Sequence, residues 1–198
     1  MMKKFIDSYL VRMANTLLSI DSDNIEKIIL RLETCHHKNG TIYVIGNGGS
    51  SATASHMAND FSVGLKLRGI RNFNIISLAD NVPVCTAIAN DIGYENIFYA
   101  QLVDKLTSDD VVIAISCSGN SPNIVKASKY AIEIGSTLIG LTGFDGGTLK
   151  QICDINYHVD TEKGDYGIVE DVHMILDHII YSYYISLKPE NKSRYILR

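Results

Sequence analysis

The sequence predicts an α/β fold, a three-layer αβα sandwich with a five-stranded parallel sheet and an N-terminal helical pair. Three observations lead there. Short Val- and Ile-rich runs alternate with helix-length segments from residue 41 onward, the runs are continuously apolar, and two of them end in glycine- and serine-rich loops that open helices. Continuous apolar strands separated by helices are what a parallel sheet covered on both faces requires. The 198 residues read as one domain, 1–198, divided into a helical pair over 1–40 and the sandwich over 41–198. That length suffices to bury roughly 70% of the surface an unfolded chain exposes.

The elements follow in order. Phe5, Tyr9, Met13 and Leu17, then Ile25, Ile28, Ile29 and Leu32, recur at three- and four-residue spacing and predict two helices. Asp21, Ser22 and Asp23 supply the turn and N-cap between them, and Asn39-Gly40 closes the second. Strands are expected near 41–46, 74–78, 110–115, 137–142 and 155–159, with helical segments between them. A polar loop over 161–167 leads into a long helix from about 168 to 187, which ends before Pro189. No linker, low-complexity tract or tandem repeat interrupts this pattern.

Composition excludes several classes. Cys35, Cys85, Cys117 and Cys153 are scattered without a CxxC pair, which predicts neither a disulfide framework nor a zinc ribbon and makes reduced, cytoplasmic thiols the default. Asp7, Arg12 and Asn15 interrupt the apolar positions of the first 20 residues, so neither a signal peptide nor a membrane span is expected. A net charge of −4 argues against a sequence-independent grip on nucleic acid, and the C-terminal Lys188, Lys192, Arg194 and Arg198 are too few and too mixed to alter that.

The two loops carry the functional signal. The first, Gly46-Asn47-Gly48-Gly49-Ser50-Ser51, follows a strand and opens a helix through His56; the second, Ser116-Cys117-Ser118-Gly119-Asn120-Ser121, repeats the design. Such loops offer backbone N–H groups at a helix N-terminus, where aligned peptide dipoles favour an anion, and hydroxyls at the same place. Both fall at strand carboxyl ends, where open α/β sheets bind ligands. Together they predict one phosphorylated small molecule held from both sides. The first loop is neither a Walker A motif nor GxGxxG, so no nucleotide cofactor is expected.

Chemistry is expected from the helices. His56 and Asp60 lie four residues apart and project from one helix face, a spacing that suits a shared divalent metal or an acid/base pair. The C-terminal helix sets Glu170, His173, Asp177 and His178 among apolar residues; a helix apolar nearly all round is buried, and its polar groups need partners. Glu170 and His178 are about 80° apart around the helix, which places them on one broad face within reach of His56 and Asp60. His173 reads as a satisfied core or interface histidine.

The runs Gly46-Asn47-Gly48-Gly49-Ser50 through His56, Asn90-Asp91-Ile92-Gly93-Tyr94, Ile115-Ser116-Cys117-Ser118-Gly119-Asn120-Ser121 and Leu141-Thr142-Gly143-Phe144-Asp145-Gly146-Gly147 resemble the sugar isomerase (SIS) domain family, a flavodoxin-like fold, and within it the sedoheptulose 7-phosphate isomerase branch. The likeness spans nearly the whole chain. It implies interconversion of sedoheptulose 7-phosphate and an aldose heptose 7-phosphate, the entry to heptose units of surface polysaccharides. It implies that Asn47, Ser50, Ser116, Ser118 and Ser121 hold the phosphate, that Asp91 lies near the sugar hydroxyls, and that His56, Asp60, Glu170 and His178 occupy metal and acid/base positions, where some members bind zinc. A homotetramer with sites between subunits is implied as well. Three departures stand out: Asp60 replaces the usual glutamate, Glu170 the usual glutamine, and Gly64 a frequent arginine. Alternative readings are an isomerase for another phosphosugar, and a non-catalytic sugar-phosphate sensor or replication-initiator adaptor, which would need the loops but not the acid/base set.

Overall fold

The computed structural model describes residues 1–193, 195 and 196; Arg194 and Arg198 of the basic C-terminal set lie outside the described residues. The N-terminal pair is α1 (Met2–Leu18) and α2 (Ser22–His37), and the Asp21 carboxylate caps α2 by accepting from the Asp23 N–H. Asn39, at φ 58°, then turns the chain toward the sheet. The strands are β1 (Ile42–Gly46), β2 (Ile75–Ser77), β3 (Val111–Ser116), β4 (Thr137–Phe144) and β5 (Ile155–Asp160). All pairings are parallel, in the order β2-β1-β3-β4-β5. β2 is an edge strand with one neighbour and pairs over three positions, whereas β4 has neighbours on both sides and runs two residues beyond its expected end.

Successive strand residues face opposite sides, and each side has its own core. On one face Val44, Ile113, Ile139 and Leu141 pack with Ile28 and Leu32 of α2, Met57 of α3 (Gly49–Asn59), and Val172 and Leu176 of α9 (Tyr166–Ser186). On the other, Tyr43, Ile45, Val112 and Ala114 pack with Leu102 of α6 (Tyr99–Leu102), Ile124 and Ala131 of α7 (Pro122–Ile134), and Leu149 of α8 (Gly147–Ile152). The result is the expected three-layer sandwich. Chain order reverses between β1 and β3, so the two Gly/Ser loops leave adjacent strands at the switch point, with Gly46 opposite Ile115.

Two helices carry more exposed apolar surface than a covered core would. No residue of α1 is buried, and Phe5, Ile6, Leu10 and Val11 are exposed. α9 was expected to be buried all round; the structure buries one face and leaves Ile179 and Tyr183 exposed, because only one side of the helix rests on the sheet. Among the described residues no helix is long and apolar enough to cross a membrane.

Candidate active site

β1 delivers the chain to Asn47, and Gly48 turns it into α3 with φ 53° and ψ −122°, a conformation that excludes a Cβ on strain grounds. The N–H groups of the first turn therefore open outward at the sheet edge. β3 delivers the second loop, which Gly119 bends at φ 61°; a Cβ there would lie against the Gly146 carbonyl, so no other residue fits. Two asparagines lock the loops together: the Asn47 amide donates to Asn123 Oδ1 at 2.9 Å, and the Asn123 amide returns a bond to Asn47 Oδ1 at 2.8 Å. The Tyr94 hydroxyl donates to the same Asn47 oxygen at 2.9 Å. Asn123 is fully buried, while Asn47 is half-buried at the edge of the cavity, so the amide pair is anchored from its Asn123 side.

Between the loops is a cavity of about 160 Å³. Asn47, Ser50, Ser116, Cys117, Ser118 and Ser121 all line it, with Glu170 and Tyr166 from α9 closing one side. Ser116 Oγ lies 3.4 Å from Ser121 Oγ and accepts the Gly119 N–H at 3.1 Å, which aims the hydroxyls at one spot. Burial, followed by the nearby Glu170 charge, pushes the Cys117 thiol up to about 11, so it is a neutral wall rather than a nucleophile. Glu170 reaches Gly49 so closely that a Cβ on Gly49 would stand 2.5 Å from both carboxylate oxygens. Gly49, the third glycine of the loop, therefore makes room for a carboxylate at the α3 N-terminus. A larger basic hollow, about 530 Å³ beside Lys66, Arg71 and Lys188, contains none of the predicted acid/base residues.

The second half of the site lies further along α3. His56 and Asp60 share a face as their spacing requires, with His56 Nε2 3.6 Å from Asp60 Oδ2. Asp60 opens a π-helical turn, Asp60–Gly64, the local widening often found where a helix places a functional group. That turn leads into α4 (Leu65–Leu67). α9 packs on α3 and brings His178 Nε2 to 3.2 Å from His56 Nε2. It also brings Asp177 Oδ2 to 3.6 Å from the same His56 nitrogen. His56, Asp60, Asp177 and His178 thus each present a ligand atom, all within 4.8 Å of one another.

Glu170 stands apart from this cluster. Its angular agreement with His178 left out the axis: eight residues are about 12 Å of helix, which puts Glu170 beside the phosphate loop two turns from the histidines. Asp91 also lies elsewhere, exposed near the end of α5 (Val82–Ile92), where it accepts from the Asn90 amide at 2.8 Å and does not line the cavity. Gly64, in place of the family's frequent arginine, is accounted for by Tyr181, whose hydroxyl would be 2.7 Å from a Cβ at that position. Sequence reasoning missed Asn123, hidden as the second residue of a helix, and did not count Asp177 among the ligands although it flagged a buried acid in need of a partner. Asp177 is fully buried, and burial followed by the Asp60 charge raises its carboxyl to about 7. His173 is a core residue as expected, its Nε2 3.3 Å from the Thr142 carbonyl.

An anion cradle at the switch point of a parallel sheet, one to two helical turns from an imidazole–carboxylate cluster, defines a phosphosugar-binding α/β protein equipped for proton transfer. Residues 5–143 match the family described as SIS domain. A phosphoheptose isomerase of Aliarcobacter butzleri is 39% identical over 144 residues, which cover 72% of this chain and 75% of that protein. One from Helicobacter pylori strain Shi470 is 32% identical over 180 residues, or 91% of this chain and 92% of that protein. The structure of phosphoheptose isomerase GmhA from Neisseria gonorrhoeae has a TM-score of 0.82 at 25% identity, covering 94% of this chain and 100% of that one. The chain belongs to the SIS domain family.

Proposed function

We propose that the chain is a phosphosugar aldose/ketose isomerase that interconverts sedoheptulose 7-phosphate and an aldose heptose 7-phosphate through an enediol. The observation that carries this reading is the continuity of the cradle and the cluster along one helix. α3 starts at the phosphate loop and presents His56 six residues after Ser50, about 9 Å along its axis. Side chains lean toward the helix N-terminus, so His56 and Asp60 point back toward a sugar whose phosphate is anchored at the loop. The relatives named phosphoheptose isomerase supply the substrate class.

In this reading the Ser50, Ser116, Ser118 and Ser121 hydroxyls, with the Gly48-Gly49 backbone and the Asn47 amide, bind and orient the phosphate. Asp60, beside the histidines, or Glu170, which lines the cavity, takes the proton from the carbon beside the carbonyl and returns it to the neighbouring carbon. His178 engages His56 through Nε2, and its other ring nitrogen delivers a proton to the carbonyl oxygen and takes one back from the neighbouring hydroxyl as the new carbonyl forms. Asp60 also holds the imidazole pair in place through His56. The cluster fits a zinc ion, since imidazole and carboxylate donors are its usual partners and the Asp177 carboxylate is buried with no hydrogen-bond partner. His56, Asp60 and His178 would hold that ion, and a bound divalent cation supplies charge that favours an enediolate. The exposed apolar surface of α1 and α9 supports a homotetramer with sites at subunit interfaces. The role extends to heptose supply for lipopolysaccharide or capsule, in the cytoplasm.

The test is a panel of ketose phosphates, sedoheptulose 7-phosphate among them, assayed for aldose with and without a chelator. Aldose is expected from the seven-carbon substrate, and the folded Asp60→Ala and His178→Ala proteins are expected to lose turnover. Inertness of the wild type across the panel overturns the reading in favour of a binding module.

A further inference from the structure

We infer that Asp177, and not Glu170, is the second carboxylate of the metal set, so that this chain holds its divalent cation through His56, Asp60, Asp177 and His178 while Glu170 is released to the substrate. The inference rests on the isomerase reading for the presence of a cation. The assignment of ligands is carried by geometry alone.

Four lines support it. The Asp177 side chain has no exposure, and neither of its carboxylate oxygens has a hydrogen-bond partner. A carboxylate buried in this way is costly unless a cation or donors stand beside it. The groups that face it are His56 at 3.6 Å and, by their ligand atoms, Asp60 and His178, all within 4.8 Å. Two acids and two imidazoles converging with no lysine or arginine among them form a set that only an added positive charge completes.

The separations also suit one ion. Ligand atoms about 2.1 Å from a tetrahedral zinc stand roughly 3.4 Å from one another. His56 Nε2 is 3.2 Å from His178 Nε2, 3.6 Å from Asp60 Oδ2 and 3.6 Å from Asp177 Oδ2. Two carboxylates balance a divalent charge, which leaves the buried set neutral. If Glu170 were the ligand instead, Asp177 would remain as an uncompensated buried charge next to the site.

Helix geometry explains how the exchange is possible. Asp177 and His178 are adjacent on α9, so one turn of helix presents both to α3, Asp177 from the buried side and His178 from the exposed rim. Asp60 is a methylene shorter than the family's glutamate, and a donor from the facing helix offsets that shorter reach. Glu170 meanwhile lies against Gly49 in the phosphate cavity, where a sugar and not the cluster is its neighbour.

The experiment measures zinc affinity by competition with a chromophoric chelator for the wild type, Asp177→Asn and Glu170→Ala, with melting temperature recorded with and without zinc. Asp177→Asn preserves shape, so the protein is expected to fold, to lose affinity by roughly 100-fold or more, and to show no rise in melting temperature on zinc addition. Glu170→Ala, which removes the donor atoms altogether, is expected to bind zinc as the wild type does. Should Asp177→Asn fail to fold, the Glu170→Ala affinity still decides, because a loss of that size there overturns the assignment. Wild-type affinity in Asp177→Asn overturns it as well. Turnover on the ketose panel is a separate readout: a wild type that binds zinc through Asp177 but converts no substrate would sink the isomerase reading and leave this assignment standing.

Discussion

Gly49 is the position at which a single hydrogen matters most. Its Cα lies under the Glu170 carboxylate, and a methyl group there would come within 2.5 Å of both oxygens. Glu170 is held on a helix, so relief comes from swinging its side chain out of the cavity. The Gly49→Ala enzyme is accordingly expected to fold with a near wild-type melting temperature and to lose kcat by at least tenfold, with KM less affected, in steady-state assays on the seven-carbon ketose phosphate; an unchanged kcat would remove Glu170 from the chemistry. Glycine and serine were legible in the sequence because their loops sit between a strand and a helix. The reason for Gly49 was not, because the carboxylate that needs the space comes from 121 positions later in the chain. His56 and Asp60 were legible for the opposite reason: four residues on one helix fix their proximity without any tertiary knowledge. Asp91 has no such helical spacing to any other site residue, and its expected place near the sugar hydroxyls rests on the resemblance alone.

At the scale of elements, α9 is the part whose reading changed most. It spans cradle, core and cluster in turn, with Glu170 beside the loop, His173 in the core, and Asp177 and His178 against α3. The heptad-like arithmetic of its sequence gives angle but not depth, which is why Glu170 was grouped with residues two turns away. Beyond α3, its Tyr181 stands over Gly64, in the π-helical turn that begins at Asp60. A methyl on Gly64 would meet the Tyr181 hydroxyl at 2.7 Å and push the two helices apart where Asp60 is presented. Gly64→Ala should therefore cost about 1–3 kcal/mol of stability, in the range of overpacking, and should weaken zinc binding. In a Tyr181→Ala background the same change should cost much less, a coupling that a double-mutant cycle from urea unfolding measures directly. Equal costs in the two backgrounds would mean that Tyr181 does not set the packing of this turn.

For the whole molecule, the fold was the most legible property, because a parallel sheet writes its strands as continuous apolar runs and the strand order follows from the reversal between β1 and β3. What such a pattern hides is the charge state of polar groups inside the core. His173 is fully buried, and burial lowers its pKa from 6.5 to about 4. Its Nε2 faces the Thr142 carbonyl while Nδ1 has no partner, so the neutral ring is the one the core accommodates. Unfolded, the imidazole takes up a proton near pH 6.5; folded, it stays neutral down to about pH 4. Between those values the unfolded chain binds the extra proton, so the stability His173 allows is present above pH 6.5 and is lost as pH falls toward 4, by roughly 3 kcal/mol in total. His158, lowered by burial and then by the Lys150 charge, acts with the same sign. Asp177 acts with the opposite sign in cation-free protein: its carboxyl is raised from 3.8 to about 7, so its contribution favours the folded state at low pH and is lost as pH rises through 7. Comparing wild type with His173→Gln at each pH cancels the contributions the two proteins share. Urea midpoints taken with chelator from pH 4 to 7.5 should show the wild type losing stability relative to His173→Gln as the solution is acidified, with the difference flat above pH 6.5; a difference that does not change with pH would show that the His173 ring takes up its proton in the folded core as readily as in the unfolded chain.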